Sequence, residues 1–167
     1  MNELKKRKTP RLQDFDYSGV GAYFITVCTH NRKKILSNIV GAIHESPEIK
    51  LNSNGVIVEK YINQLSTRFS LKINKYVIMP NHIHLIVVID ERSIRESTLR
   101  KRSIISNAVG YLKMNASREI HKNGYMGDIW QRSFHDHIIR GEQDYLKIWN
   151  YIDINPQKWN EDCFYIN

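Results

Sequence analysis

The sequence predicts an α+β domain, an antiparallel sheet of ferredoxin-like kind with helices packed mainly on one face. Three observations predict it. Short runs of aromatic and β-branched residues alternate with segments of helical period. Their order reads strand, hairpin, helix, two strands, helix, strand, helix. And 167 residues with 41% hydrophobic content suit a single core.

Residues 1–16 carry Lys5, Lys6, Arg7, Lys8 and Arg11 and read as a basic, solvated arm; 17–167 read as one domain. AYFITVCTHN (Ala22 to Asn31) is strand-like in composition. From Ile39 to Leu51, short apolar runs broken by Gly41 and Pro47 predict a hairpin with a loose turn. SNGVIVEKYINQLSTRF then places Val56, Tyr61, Ile62 and Leu65 near helical spacing, with Ser53 or Asn54 as the cap. KINKYVIMP and HIHLIVVID follow as two strands joined at Pro80-Asn81, since proline cannot donate to a ladder. Between Thr98 and His121, Ile105, Ala108, Val109, Leu112, Ala116 and Ile120 recur at threes and fours, which predicts an amphipathic helix with basic flanks. DIWQRSFHDHIIRG reads as a further strand. GEQDYLKIWNYIDINP reads as a last helix that stops near Asn155, because the residue before a proline avoids the helical region.

Composition narrows the partners. Twenty-five Lys and Arg against 17 Asp and Glu give a formal charge of +8, a surface that attracts polyanions and nucleic acid first among them. Cys28 and Cys163 lie far apart without C-x-x-C spacing, so a zinc knuckle or disulfide framework is not indicated and a reducing cytoplasm fits. No apolar run approaches the roughly 20 residues that span a bilayer, so no membrane partner is expected.

The stretch MPNHIHLIVV puts His82 and His84 on one face of a strand, about 6.5 to 7 Å apart along the chain, where two imidazoles can converge on one cation. An isolated H-x-H is more often an ordinary strand pair, and two imidazoles leave a coordination sphere open, so a third ligand has to come from elsewhere. In the last helix Tyr151 and Asn155 are four residues apart and share a face, placing a phenol beside an oxygen ligand. A phenol with a free pKa near 10 is a poor nucleophile unless a metal or base assists it. Nine tyrosines are present, and spacing alone does not select Tyr151.

YSGVGAYFITVCTHNRK, YVIMPNHIHLIVVI and IWQRSFHDHIIRGEQDYLKIWNYIDINPQKW occur in the order in which the single-tyrosine HUH transposases carry such segments. The chain resembles that family from about Tyr17 to Trp159, and within it the REP-associated tyrosine transposases. The resemblance implies an HUH endonuclease fold that cuts and rejoins single-stranded DNA. It puts His82 and His84 on the paired metal ligands, Asn155 on the third ligand and Tyr151 on the nucleophile. A divalent ion, Mg²⁺ or Mn²⁺, would polarise the scissile phosphate, and attack by Tyr151 would leave a 5′-phosphotyrosine and a free 3′-hydroxyl. Hairpin-associated sites, and a monomer or homodimer associated with the nucleoid, are further implications.

Arg32, Lys33 and Arg132 are candidates for tracking a DNA backbone, and Lys101 and Arg102 for a second DNA surface. His135 and His137 form another H-x-H, for which no flanking ligand is evident; hydrogen bonding or phosphate contact by His137 is the expectation. The rival function is a domesticated relative that binds hairpin DNA without cutting it. An RNA-binding sheet of RRM type would need an aromatic signature that is absent.

Overall fold

The run HIHLIVVI is β-branched and apolar enough to be buried on both faces, and it forms the central strand of the structure, a computed structural model that describes residues 19–41, 47–91 and 103–165. In chain order the elements are β1 (Gly21–Cys28), β2 (Ser37–Val40), β3 (Glu48–Leu51), α1 (Ser53–Phe69), β4 (Lys72–Ile78), β5 (His82–Ile89), α2 (Ile104–Lys122), β6 (His135–Ile139) and α3 (Gly141–Ile154). The main sheet has the order β4-β5-β1-β6 with every pairing antiparallel, and β2 with β3 forms a separate hairpin.

Alternation along the strands divides two cores. Tyr23, Ile25 and Val27 of β1 and Ile83, Leu85 and Val87 of β5 point toward α1 and α2, which bury Val58, Ile62, Leu65, Ile105, Leu112 and Ile120 against them. The two helices are also tied by Lys60 Nζ and Tyr61 Oη, both donating to Glu119 at 2.8 and 2.6 Å. On the other face Val77, Met79, Ile86 and Ile139 meet Ile152 of α3 and Trp159. Two of the three described helices thus share one face of the sheet, and α3 crosses the face that carries His82 and His84. Lys75 anchors α3 to β4, pairing with Asp153 at 2.5 Å and lying over the Trp149 ring at 4.0 Å.

The hairpin of β2 and β3 and the antiparallel pair β4–β5 fall where the sequence places them. Two expectations change. Asn52, one residue before the expected caps, caps α1 by accepting from the Asn54 and Gly55 amides at 3.0 Å. The strand expected from Asp128 to Gly141 is regular only over β6, because the Lys113 ammonium draws the carbonyls of Gln131, Arg132 and Ser133 out of the ladder. The basic arm 1–16, and Lys101 and Arg102 with it, lie outside the described residues.

Candidate active site

The β1–β5 register brings Cys28 opposite His82 and Thr26 opposite His84, so both imidazoles stand on the α3 face, with ring centroids 4.5 Å apart. They are fully buried, at 0% and 1% exposure. Their orientation follows from their partners. Asn81 Nδ2 donates to the Phe164 carbonyl at 2.8 Å, which turns Asn81 Oδ1 toward His82 Nδ1, also at 2.8 Å. Only an Nδ1–H can satisfy that oxygen, so His82 Nε2 keeps its lone pair, and it is enclosed without a hydrogen-bond partner. His84 Nδ1 lies 2.8 Å from Thr26 Oγ1, and its Nε2 lies 3.3 Å from the Tyr151 hydroxyl.

From α3, Tyr151 and Asn155 arrive together, as their four-residue spacing requires. Asn155 is 2% exposed; its Nδ2 donates to Asp162 Oδ2 at 2.7 Å, leaving Oδ1 enclosed without a partner. Tyr151 Oη donates to the same Asp162 oxygen at 3.1 Å. The sequence-predicted quartet of His82, His84, Tyr151 and Asn155 is therefore assembled at one point.

A divalent ion fits the donors at that point. Two buried polar atoms, His82 Nε2 and Asn155 Oδ1, have no other use, and His84 Nε2 faces the same space. His82, His84 and Asp162 each offer a ligand atom, all within 4.8 Å of one another. Electrostatics agree. Burial, reinforced by the Arg32 charge, pushes the His82 pKa down to about 3; burial and then His82 hold His84 well below its ordinary value. Both imidazoles are neutral and able to bind a cation. Tyr151 is pushed the other way, above the ordinary phenol range, by burial first and by the Asp162 carboxylate second.

Residues after α3 close the site. The Phe164 ring lies 4.7 Å from the His82 ring and 5.8 Å from that of His84, and the Arg32 guanidinium sits over it at 4.2 Å. Arg32 holds a left-handed backbone at φ 55°, following Asn31 at φ 51°, an uncommon pair for non-glycine residues that aims the side chain at the site. Its Nη1 is enclosed without a hydrogen-bond partner.

The other basic candidates are dispersed. Lys33 is exposed beside Arg32. Arg132 lines a groove of about 500 Å³ between α2 and residues 128–134, bounded also by Lys113, Met114 and Trp130. His137 faces the same side of the sheet as His84, opposite Phe24, and its Nε2 pairs with Asp144 Oδ2 at 2.9 Å. That carboxylate, one turn into α3, gives His137 the hydrogen-bonded role expected of it. Among the described residues the grouping of His, Cys, Asp or Glu able to hold a metal is nevertheless the one at His82.

Sequence reasoning missed Asp162, Asn81, Thr26 and Phe164. Asn81 was adjacent to the motif and Thr26 needed only the strand register. Asp162 and Phe164 lie in a tail without periodicity, where no spacing announces a contact.

Known proteins resemble this chain along most of its length. A Haemophilus influenzae protein described as uncharacterized is 31% identical over 177 residues, covering 98% of this chain and 96% of that protein. A second protein of that organism, described as "Putative REP-associated tyrosine transposase", is 25% identical over 147 residues, covering 86% and 74%. Among solved structures, a REP-associated tyrosine transposase bound to a REP hairpin superposes with a TM-score of 0.63 at 22% identity, over 89% of this chain and 74% of that one. Among described helices none is long and apolar enough to cross a membrane. Residues 20–155 match the family described as "Transposase IS200 like", and the chain belongs to that family of transposases.

Proposed function

We propose that this chain is a metal-dependent single-stranded DNA endonuclease and strand transferase that works through a covalent tyrosine intermediate near DNA hairpins. The observation that carries the reading is the convergence of two neutral, buried imidazoles and an unpartnered amide oxygen on the hydroxyl of Tyr151. His82, His84 and Asn155 would hold Mg²⁺ or Mn²⁺, which supplies Lewis-acid polarisation of the scissile phosphate. Two imidazoles in the ligand set favour Mn²⁺, since Mg²⁺ prefers oxygen.

The remaining chemistry belongs to the chain. Tyr151 Oη attacks phosphorus, the phosphorus–O3′ bond breaks, the phenol loses its proton and the departing 3′ oxygen gains one. Because the phosphotyrosine ester keeps the bond energy, a 3′-hydroxyl can reverse the step and rejoin a strand without ATP. Rigid elements hold the parts: Tyr151 on α3 and the histidines on the central strand. Arg32, with an enclosed Nη1, would meet a phosphate at the site and Lys33 beside it the next one, whereas Arg132 on the α2 groove and His137, paired with Asp144, would contact DNA only away from the metal donors. The hairpin-bound structural neighbour supports the hairpin preference, and association with the nucleoid in the cytoplasm is part of the same proposal.

The test incubates wild-type and Tyr151→Phe protein with labelled single strands carrying a hairpin, in Mn²⁺, Mg²⁺ or EDTA, followed by denaturing electrophoresis. A slow-migrating adduct that requires both metal and Tyr151 is expected. Hairpin binding with no adduct, across a varied oligonucleotide pool, would instead mark a non-cleaving binder.

A further inference from the structure

The two imidazoles and the Asn155 amide form an uncharged donor set, yet a dication in a site this buried needs compensating charge. The anion that shares their cluster is the Asp162 carboxylate. We propose that Asp162 is a fourth, anionic ligand of the metal, delivered by the C-terminal tail, so that a bound Mn²⁺-class ion and the docked tail hold each other in place. This rests on the metal-dependent reading above and adds to it a ligand outside the His-His-Asn set.

Three features of the tail make the assignment. Asp162 presents its carboxylate inside the cluster, with a ligand atom within 4.8 Å of those of His82 and His84. The carboxylate is held in place from two sides: Oδ1 accepts from the Phe164 amide at 2.6 Å, and Oδ2 from Asn155 Nδ2 and Tyr151 Oη. The tail is further fixed by Asn81, whose Nδ2 binds the Phe164 carbonyl while its Oδ1 sets the tautomer of His82. One residue thus orients a histidine ligand and seats the segment that brings the carboxylate.

The arrangement gives Asp162 two competing uses. Without metal it is the hydrogen-bond acceptor of Tyr151; with metal it becomes a ligand, and Tyr151 loses that acceptor. A DNA phosphate is an anionic oxygen donor of the same kind. A substrate phosphate would therefore compete with Asp162 for the metal, and the tail would leave when the phosphate took its place.

The experiment measures Mn²⁺ binding from the loss of the free-ion paramagnetic resonance signal, with the full chain and no DNA. Asp162→Asn is nearly isosteric and keeps an acceptor for the Phe164 amide. It should weaken Mn²⁺ binding at least tenfold relative to wild type, a typical loss around metal sites. Phe164→Ala loosens the tail while retaining the carboxylate and should weaken binding less. In wild type, Mn²⁺ should slow deuterium exchange of the tail amides; in Asp162→Asn it should not. Circular dichroism checks that each variant is folded. Wild-type affinity in Asp162→Asn, or equal losses in the two variants, would overturn the ligand assignment while leaving the metal site intact. If His82→Ala also binds Mn²⁺ as wild type does, the metal lies elsewhere, and the reading above falls together with this one.

Discussion

On the proposed reading the tail of this chain stands where a DNA strand would go, and Phe164→Ala measures what that closure is worth. The ring touches three groups: the imidazoles of His82 and His84 at centroid distances of 4.7 and 5.8 Å, and the Arg32 guanidinium at 4.2 Å. Truncating a fully buried phenylalanine costs roughly 3–5 kcal/mol. Phe164 is only partly buried, and an undocked tail is rehydrated, so about 1.5 kcal/mol is the appropriate scale, of which the cation–π contact supplies ~0.5–1. About 1.4 kcal/mol is tenfold in an equilibrium, so the open population rises roughly tenfold wherever the closed state dominates. Substrate that binds only the open form then shows an apparent affinity about tenfold tighter. Steady-state cleavage of a hairpin-bearing single strand in saturating Mn²⁺ should accordingly show KM falling roughly tenfold with kcat within about twofold of wild type. An unchanged KM in a folded variant would refute the idea that the tail competes with DNA.

Three further outcomes follow from the same geometry. His82 is neutral in the folded protein down to about pH 3, whereas the unfolded chain takes up that proton near 6.5, so stability is fully present above 6.5 and lost as pH falls toward 3. In EDTA, urea unfolding at pH 5 should show about 2 kcal/mol less stability from His82 alone than at pH 7, and His82→Gln should remove that part of the slope. Gly55→Ala would place a Cβ 2.1 Å from the Leu36 carbonyl oxygen, a backbone atom that cannot swing away. The clash outweighs alanine's helix preference of ~1 kcal/mol, and a net loss of about 2 kcal/mol should lower Tm by roughly 4–8 °C in calorimetry. Thr26→Val keeps the shape but removes the hydroxyl 2.8 Å from His84 Nδ1, and Mn²⁺ affinity should fall roughly ten- to a hundredfold with little change in Tm.

What the sequence reveals here depends on periodicity. His82 and His84 share a face because strands alternate, and Tyr151 and Asn155 share one because helices repeat near four; both pairings appear in the structure as the spacing requires. That the two pairs meet is a long-range fact, which no local period encodes. It came instead from resemblance to a family in which the segments occur in the same order. The contributions of Thr26 and Asp162 were invisible for a related reason: one depends on the β1–β5 register, the other on a tail whose path is set by contacts to Asn81, Arg32 and Tyr151. The overlong strand prediction after Asp128 failed because a tertiary contact from Lys113 overrode a correct local propensity.

The raised pKa of Tyr151 fits this closed arrangement. Burial and then the Asp162 carboxylate hold the phenol protonated, and the second cause depends on the docked tail. A resting enzyme with an ionised tyrosine beside a bound metal would be free to attack any phosphodiester that approached. On the reading proposed above, the docked tail of the metal-free protein would keep Tyr151 protonated, and the displacement that admits a DNA strand would also remove the carboxylate that opposes ionisation. Access and activation would then be one event, controlled by the segment from Trp159 to Tyr165.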